Sequence, residues 1–252
     1  MINLTPLIQF GLLLVRPGVL IALAPGFGDN YAPARVKVGL TVLIAIALMP
    51  SIATPALGDP LPLVLIVAHE VAIGFALALG IRILVAGAQF AGHLSGFQMG
   101  LSYGATVDPQ SGVRNPLLAV LFGNMAVLTF LMINGHHAFL RALRQSYADL
   151  PVGSGGIDGS LPDIVARLLG IVFTLGVRLA APIVFVLLVV EIAMALLARS
   201  APALNLMAAG APVRLVVGLI VLAVMLPAVP SLVAGVSDAI LRLSVQATAA
   251  FR

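Results

Sequence analysis

Charge is the first thing this sequence lacks. Asp, Glu, Lys and Arg make up only 9% of its 252 residues, against about 25% in a soluble domain. So few charges cannot cover a water-facing surface, and lipid or other apolar protein must cover it instead. Cysteine is missing altogether, which excludes a disulfide framework, a thiolate nucleophile and a cysteine-held metal. Tryptophan is missing too, and the tyrosines are only Tyr31, Tyr103 and Tyr147. The aromatic belt that marks many lipid interfaces is therefore thin, a first sign that protein clads much of the surface. Lys37 is the single lysine, so the net charge of +4 forms no polybasic patch. Nucleic acid is not an expected partner. A basic balance in so apolar a chain fits basic loops beside a cytoplasmic membrane face.

What the chain has is apolar length. Hydrophobic residues make up 61% of it, and mean hydropathy is +1.17. A hydrocarbon core about 30 Å thick needs about 20 apolar residues as helix. Six segments meet that measure: about Leu4–Ala24, Val38–Leu57, Leu61–Ala91, Leu117–Asn134, Ile164–Ala198 and Val213–Ala234. The third and fifth exceed a simple crossing and must tilt, kink or extend outside the bilayer. The expected fold is all-α and membrane-associated. Pro17 lies in the first segment, Pro182 in the fifth, and Pro227 and Pro230 in the last. Each removes a backbone donor and tends to bend its helix. Ordinary kinked spans are one reading; helices broken beside protein or a water-filled cavity are the other. The stretch from His136 to Asp163, which includes LPVGSGGIDGSLPD, reads as a turn-rich connector. The opening residues lack a basic n-region and a small-residue cleavage site, so they are not expected to be removed as a signal peptide. Arg35, Lys37, Arg82, Arg114, Arg199 and Arg214 would share one side, and Arg141, Arg144, Arg242 and Arg252 the other. Six against four weakly favours the first group as cytoplasmic.

Between the third and fourth segments runs GLSYGATVDPQSGVRNP, from Gly100 to Pro116. It is polar in an apolar neighbourhood. Asp108-Pro109 and Gly112 favour turns, and Asn115 precedes Pro116. Leading into it, Ala88, Gly92, Gly96, Gly100 and Gly104 recur every four residues. On a helix they form one stripe of near-bare backbone that lets another helix approach closely. That helix could belong to the same chain or to a neighbouring subunit. Glycine costs about 1 kcal/mol against alanine in a helix interior, so the stripe is also easily unwound. A pliable segment between stiff helices has the profile of a gate, and equally of an idle surface loop.

Six charges fall inside apolar segments: Arg16, Glu70, Arg82, Arg167, Arg178 and Glu191. Each costs about 2.5–3.5 kcal/mol at the bilayer centre, so each should face protein, a partner or a cavity. Glu70 precedes Gly74 by one turn, which leaves it room for a partner across a close interface. Arg178 and Glu191 stand about 20 Å apart on a straight helix. They can pair only if the chain folds back at Pro182 as a hairpin. An enzyme reading finds little. His136 and His137 are adjacent, point to different faces and make a poor metal pair; capping or a loop hydrogen bond accounts for them better. HExxH, GxSxG, phosphate-cradling loops and acidic clusters are all missing. No catalytic residue, metal ligand or cofactor is expected. A stand-alone secondary transporter would need carboxylates within its spans, and only Glu70 and Glu191 qualify.

The run AGHLSGFQMGLSYGATVDP resembles the signature of the FliR family, the flagellar type III export-gate proteins. The SctT proteins of injectisomes are similar. Further pieces match in the expected order: RPGVLIALAPGF with PARVKVGL, then HEVAIGFA, INGHHAFLRAL and ARSAPALNLMAAGAPVRLVVG. The resemblance covers essentially the whole chain, and GFQMGLSYGATVDP looks nearer to the flagellar pattern. It implies a non-enzymatic subunit of the export gate in the bacterial inner membrane, at the flagellar basal body. FliP and FliQ would be its companions in the gate, with FlhB associated and FlhA forming a ring below. Unfolded flagellar proteins would pass through. The fold implied is one unit over residues 1–252 that fuses a FliP-like part, about 1–180, to a FliQ-like helical hairpin, about 181–252. Some hairpins would not cross the membrane as hydropathy suggests. The resemblance also implies that a pore plug comprises Tyr103, Gly104, Ala105, Thr106, Val107, Asp108, Pro109, Gln110, Ser111, Gly112, Val113, Arg114 and Asn115.

Overall fold

A computed structural model of the chain describes residues 5–24, 32–49, 60–101, 117–154, 161–200 and 206–251. All regular structure among them is helical, as composition and hydropathy predict. In chain order the helices are α1 (Thr5–Leu23), α2 (Ala34–Leu48), α3 (Pro60–Gln98), α4 (Leu117–Met132), α5 (Gly135–Asp149), α6 (Leu161–Ser200), α7 (Leu206–Met225) and α8 (Val229–Ala249). A single 3₁₀ turn, Leu226–Ala228, joins the last two.

Four stretches are long and apolar enough to cross a membrane: Pro6–Leu23, Leu63–Gln98, Pro162–Ser200 and Gly210–Ala249. A fifth exists if α4 and α5 are taken as one broken span, bent by 69°. The two overlong segments become α3, of 39 residues, and α6, of 40. At 1.5 Å per residue each is about 60 Å long, twice the hydrocarbon thickness. The second segment is only partly visible as the 15-residue α2; residues 50–59 lie outside the described ones.

Two expectations are corrected. The connector predicted from His136 to Asp163 is helical over its first half. There α5 buries Phe139, Ala142, Leu143, Ser146 and Tyr147 and exposes Arg141, Arg144, Gln145 and Asp149. That is the i, i+3, i+4 spacing of an amphipathic helix, masked in the sequence by its charged outer face. The chain also does not fold back at Pro182, because α6 runs through that residue unbroken. A proline removes one helical hydrogen bond, and in a 40-residue helix the many remaining bonds keep the axis continuous.

The real breaks lie elsewhere. Between α4 and α5, Asn134 takes the left-handed conformation (φ 58°) that Asn tolerates better than most residues. Phe130 and Phe139 meet edge-on across this elbow, with centroids 5.6 Å apart. Between α7 and α8, Pro227 lies in the 3₁₀ turn and Pro230 in the first turn of α8, where a missing N–H costs nothing.

The chain divides into two compact units. The first comprises residues 1–83, 130–169 and 237–252 and the second residues 84–129 and 170–236. In the first, Ile73, Ala76, Leu150, Ala247 and Phe251 form a buried cluster, and the His69 ring meets Phe251 edge-on at 5.6 Å. In the second, Phe90 and Phe173 pair edge-on at 5.4 Å. There α4 crosses α3 so closely at Gly92 that a Cβ would stand 2.4 Å from the Ala119 Cα and the Leu118 oxygen. Both obstacles are backbone, so no rotamer change relieves the clash. Gly92→Ala is therefore expected to destabilise the protein by about 1–3 kcal/mol. Gly11→Ala, where nothing lies within 4 Å, should be neutral or mildly stabilising. Thermal unfolding of the two solubilised variants beside the parent chain checks this; equal midpoints would refute the packing.

Candidate functional site

Arg16 sits in the middle of α1, fully buried, beside Pro17. Its Nε donates to Glu70 Oε2. Its Nη2 donates to Glu70 Oε1 at 2.9 Å and to the Leu150 carbonyl at 2.8 Å. Its Nη1 donates to the Ser146 carbonyl at 2.9 Å and the Ser146 hydroxyl at 3.3 Å. A guanidinium has five N–H donors, and this one has an acceptor for each. The Glu70 carboxylate, equally buried, receives the bidentate fork that suits arginine and not lysine. The Tyr147 ring covers the guanidinium, 4.4 Å from its centroid.

Each element supplies what this arrangement needs. The Leu150 carbonyl, just past the end of α5, has no helical donor of its own; the Ser146 carbonyl already accepts the Leu150 N–H at 2.9 Å, and both lie at the negative end of the helix dipole. Arg16 reaches Ser146 and Leu150 there. Gly74, one turn after Glu70, brings α1 within reach of α3. A Cβ on it would stand 3.0 Å from both the Arg16 oxygen and the Val19 Cβ. Pro17 has no N–H, so the helical acceptor four residues back, the Leu13 carbonyl, is orphaned. The Tyr147 hydroxyl donates to that carbonyl at 3.0 Å and replaces the missing amide. The partner sought for Glu70 across a close interface is thus Arg16 of the same chain. Tyr147, Ser146 and Leu150 were not foreseen, because the sequence reading placed them in a connector. The Phe139, Leu143, Tyr147 spacing was the signal that could have found them.

The other charges are handled more lightly. Arg82 donates from Nε to the carbonyl of Leu23 at the end of α1. Glu191, half-exposed, accepts from Arg214 at 3.3 Å and from Gln98 at 3.4 Å. A pair this exposed contributes about 0–1 kcal/mol. Arg167 and Arg178 are exposed on α6.

Of the small-residue stripe, Ala88, Gly92 and Gly96 are buried, with Gly92 against α4 of its own chain. Gly100 is exposed and has another role. Its φ of +79° ends α3, with its own N–H on the Phe97 carbonyl and that of Leu101 on the Gly96 carbonyl. These two bonds define a Schellman stop. Gly104 and the whole implied plug, Tyr103 to Asn115, lie outside the described residues. His136 and His137 occupy the first turn of α5, not a loop, with ring centroids 4.2 Å apart. Among the described residues, the buried His136 Nδ1 has no hydrogen-bond partner. Among the described residues no group of three His, Cys, Asp or Glu could hold a metal.

Long apolar helices, with one wholly buried ion pair inside the chain, define an all-α membrane protein. The family model of bacterial export proteins, family 1, matches residues 7–240. The flagellar biosynthetic protein FliR of Escherichia coli (strain K12) is 33% identical over 85% of this chain and 82% of its own length. That of Pectobacterium carotovorum subsp. carotovorum is 34% identical over 88% and 85%. That of Bacillus subtilis (strain 168) is 29% identical over 85% of each chain. The chain belongs to the bacterial export proteins of family 1, the family of the FliR proteins.

Removing Arg16 alone strands a buried carboxylate, and Arg16→Met should cost about 3–5 kcal/mol. Arg16→Met combined with Glu70→Met should cost clearly less than that single change. Tyr147→Phe should cost about 1–3 kcal/mol by leaving the Leu13 carbonyl without a donor. In a Pro17→Ala background, which restores the amide, that penalty should shrink. Thermal midpoints of the four chains in the Tyr147/Pro17 cycle decide the matter; strictly additive values would refute the substitution of hydroxyl for amide.

Proposed function

We propose that this chain is a structural and gating subunit of the flagellar type III protein export gate, without enzymatic activity. The observation that carries this reading is full-length kinship: relatives named for flagellar biosynthesis align over most of the chain, and the family match runs from α1 into α8. In this reading the chain assembles with FliP and FliQ in the inner membrane at the flagellar basal body. FlhB and FlhA lie nearby, and unfolded flagellar proteins pass through the conduit. Residues from about 1 to 180 take the FliP-like role, and those from about 181 to 252 the FliQ-like one. The stretch Tyr103–Asn115 closes the resting pore.

Three features support the reading. The Schellman stop at Gly100 and the start of α4 at Leu117 give the polar stretch two firm helical ends. Most of the Pro162–Ser200 stretch is not buried within the chain, which suits a helix clad by other subunits. A lone transporter is poorly served by the carboxylates at hand, since Glu70 is neutralised by Arg16 and Glu191 faces Arg214. The flagellar assignment is preferred over an injectisome because the curated relatives named above are flagellar.

Deleting the gene should leave cells non-motile and without filaments, while host-injection phenotypes stay unchanged. The reverse pattern would favour the injectisome. Deleting Gly104–Asn115 should leave a complex that still co-purifies with FliP but makes the membrane leaky to small solutes. An assembled complex with unchanged permeability would sink the plug.

A further inference from the structure

Arg178 is the only charged residue in the 23-residue run Leu168–Val190, and it stands at the run's centre. Unlike Arg16 it is exposed. Among the described residues it has no hydrogen-bond or ion-pair partner. Thr174, Arg178, Phe185, Val189, Ile192 and Leu196 share one side of α6 by helical spacing. All of them are exposed, with Phe185 at 67% and Leu196 at 62%. The opposite side, with Leu175, Leu179, Ile183 and Leu187, is buried. The exposed stripe is about 33 Å long at 1.5 Å per residue.

Neither simple solvent suits this stripe. Water would leave a long apolar surface of the kind that marks an interaction site. Hydrocarbon would suit the aliphatic residues. The run is about 35 Å long as helix, close to the hydrocarbon thickness. That places Arg178 near mid-depth, more than a side chain's reach from either headgroup layer, where an unpaired charge is costly. An apolar helix carrying one carboxylate opposite Arg178 satisfies both demands. This chain's own mid-segment acids are taken, Glu70 by Arg16 and Glu191 by Arg214. The exposed acid it could offer from α8 to a second copy is Asp238.

We infer that the Arg178 face of α6 is a docking surface for an apolar membrane helix of a different subunit, which brings an Asp or Glu into a charge-assisted pair with Arg178. This rests on the reading of the chain as a subunit of a membrane assembly. The test uses the complex in native membranes. In Arg178→Lys, a zero-length carbodiimide should join the substituted side chain to a neighbouring carboxylate. The expected result is an adduct, mapped by mass spectrometry, to an Asp or Glu within an apolar helix of a co-assembled subunit. Arg178→Met, which strands that acid, should lower the yield of intact complex by about tenfold or more. An assembled Arg178→Lys complex with no adduct overturns the inference, as does an adduct to lipid or to Asp238. So does an Arg178→Met complex recovered at parental yield. Failure of the assembly reading looks different: the unsubstituted chain would then bring down no companion subunits.

Discussion

The ion pair between Arg16 and Glu70 is the constraint on which the first compact unit turns. Both groups are withdrawn from water entirely, and such a pair is tolerable only when every donor and acceptor is met. Here the five guanidinium donors reach a carboxylate, two carbonyls and a hydroxyl drawn from α3 and the end of α5. The pair therefore specifies where three elements stand. It also explains two otherwise awkward residues. Gly74 is bare so that α1 can come close, and Pro17 is accommodated because a tyrosine hydroxyl takes the place of its missing amide.

The chain treats its polar groups in two distinct ways. In the first unit, the buried Arg16 and Glu70 are met inside the chain by bidentate and carbonyl contacts. On α6, by contrast, Arg178 stands exposed among exposed apolar residues. A protein finished as a monomer in lipid would bury or delete that charge. One assembled from several apolar chains leaves it for a companion to meet. The thin aromatic belt fits the same picture, since headgroup anchors matter less where protein is the neighbour.

Glycine serves two separate purposes in the stripe that begins at Ala88. At Gly92 the missing Cβ makes room for the backbone of α4. At Gly100 the positive φ terminates α3. A fourfold recurrence of small residues looks like one device in sequence, yet close approach and helix termination are different physical demands met by the same residue type. The termination at Gly100 falls three residues before Tyr103, where the plug implied by the family resemblance begins.

Solvent preference was legible from composition alone. A chain with 9% charge and six long apolar segments reads as helical and membrane-associated, because unbroken apolar runs of about 20 residues suit a helix, whose backbone groups bond within their own segment, and not the alternating strands of a barrel. The ordered motifs carried the family for the same reason that they are local: each is read without knowing what it touches. Partnership was not legible. Opposite charges 54 residues apart, at Arg16 and Glu70, could be seen to need partners but not to be partners. The amphipathic α5 was hidden by its charged outer face, and Pro182 resembled a break that the helix simply absorbs. Hydropathy is a one-body property of each residue, so the sequence determined which segments leave water. Pairing depends on distances between segments, so only the tertiary structure decided that Arg16 meets Glu70, that Tyr147 repairs Pro17, and that Arg178 finds no counterpart among the described residues of its own chain.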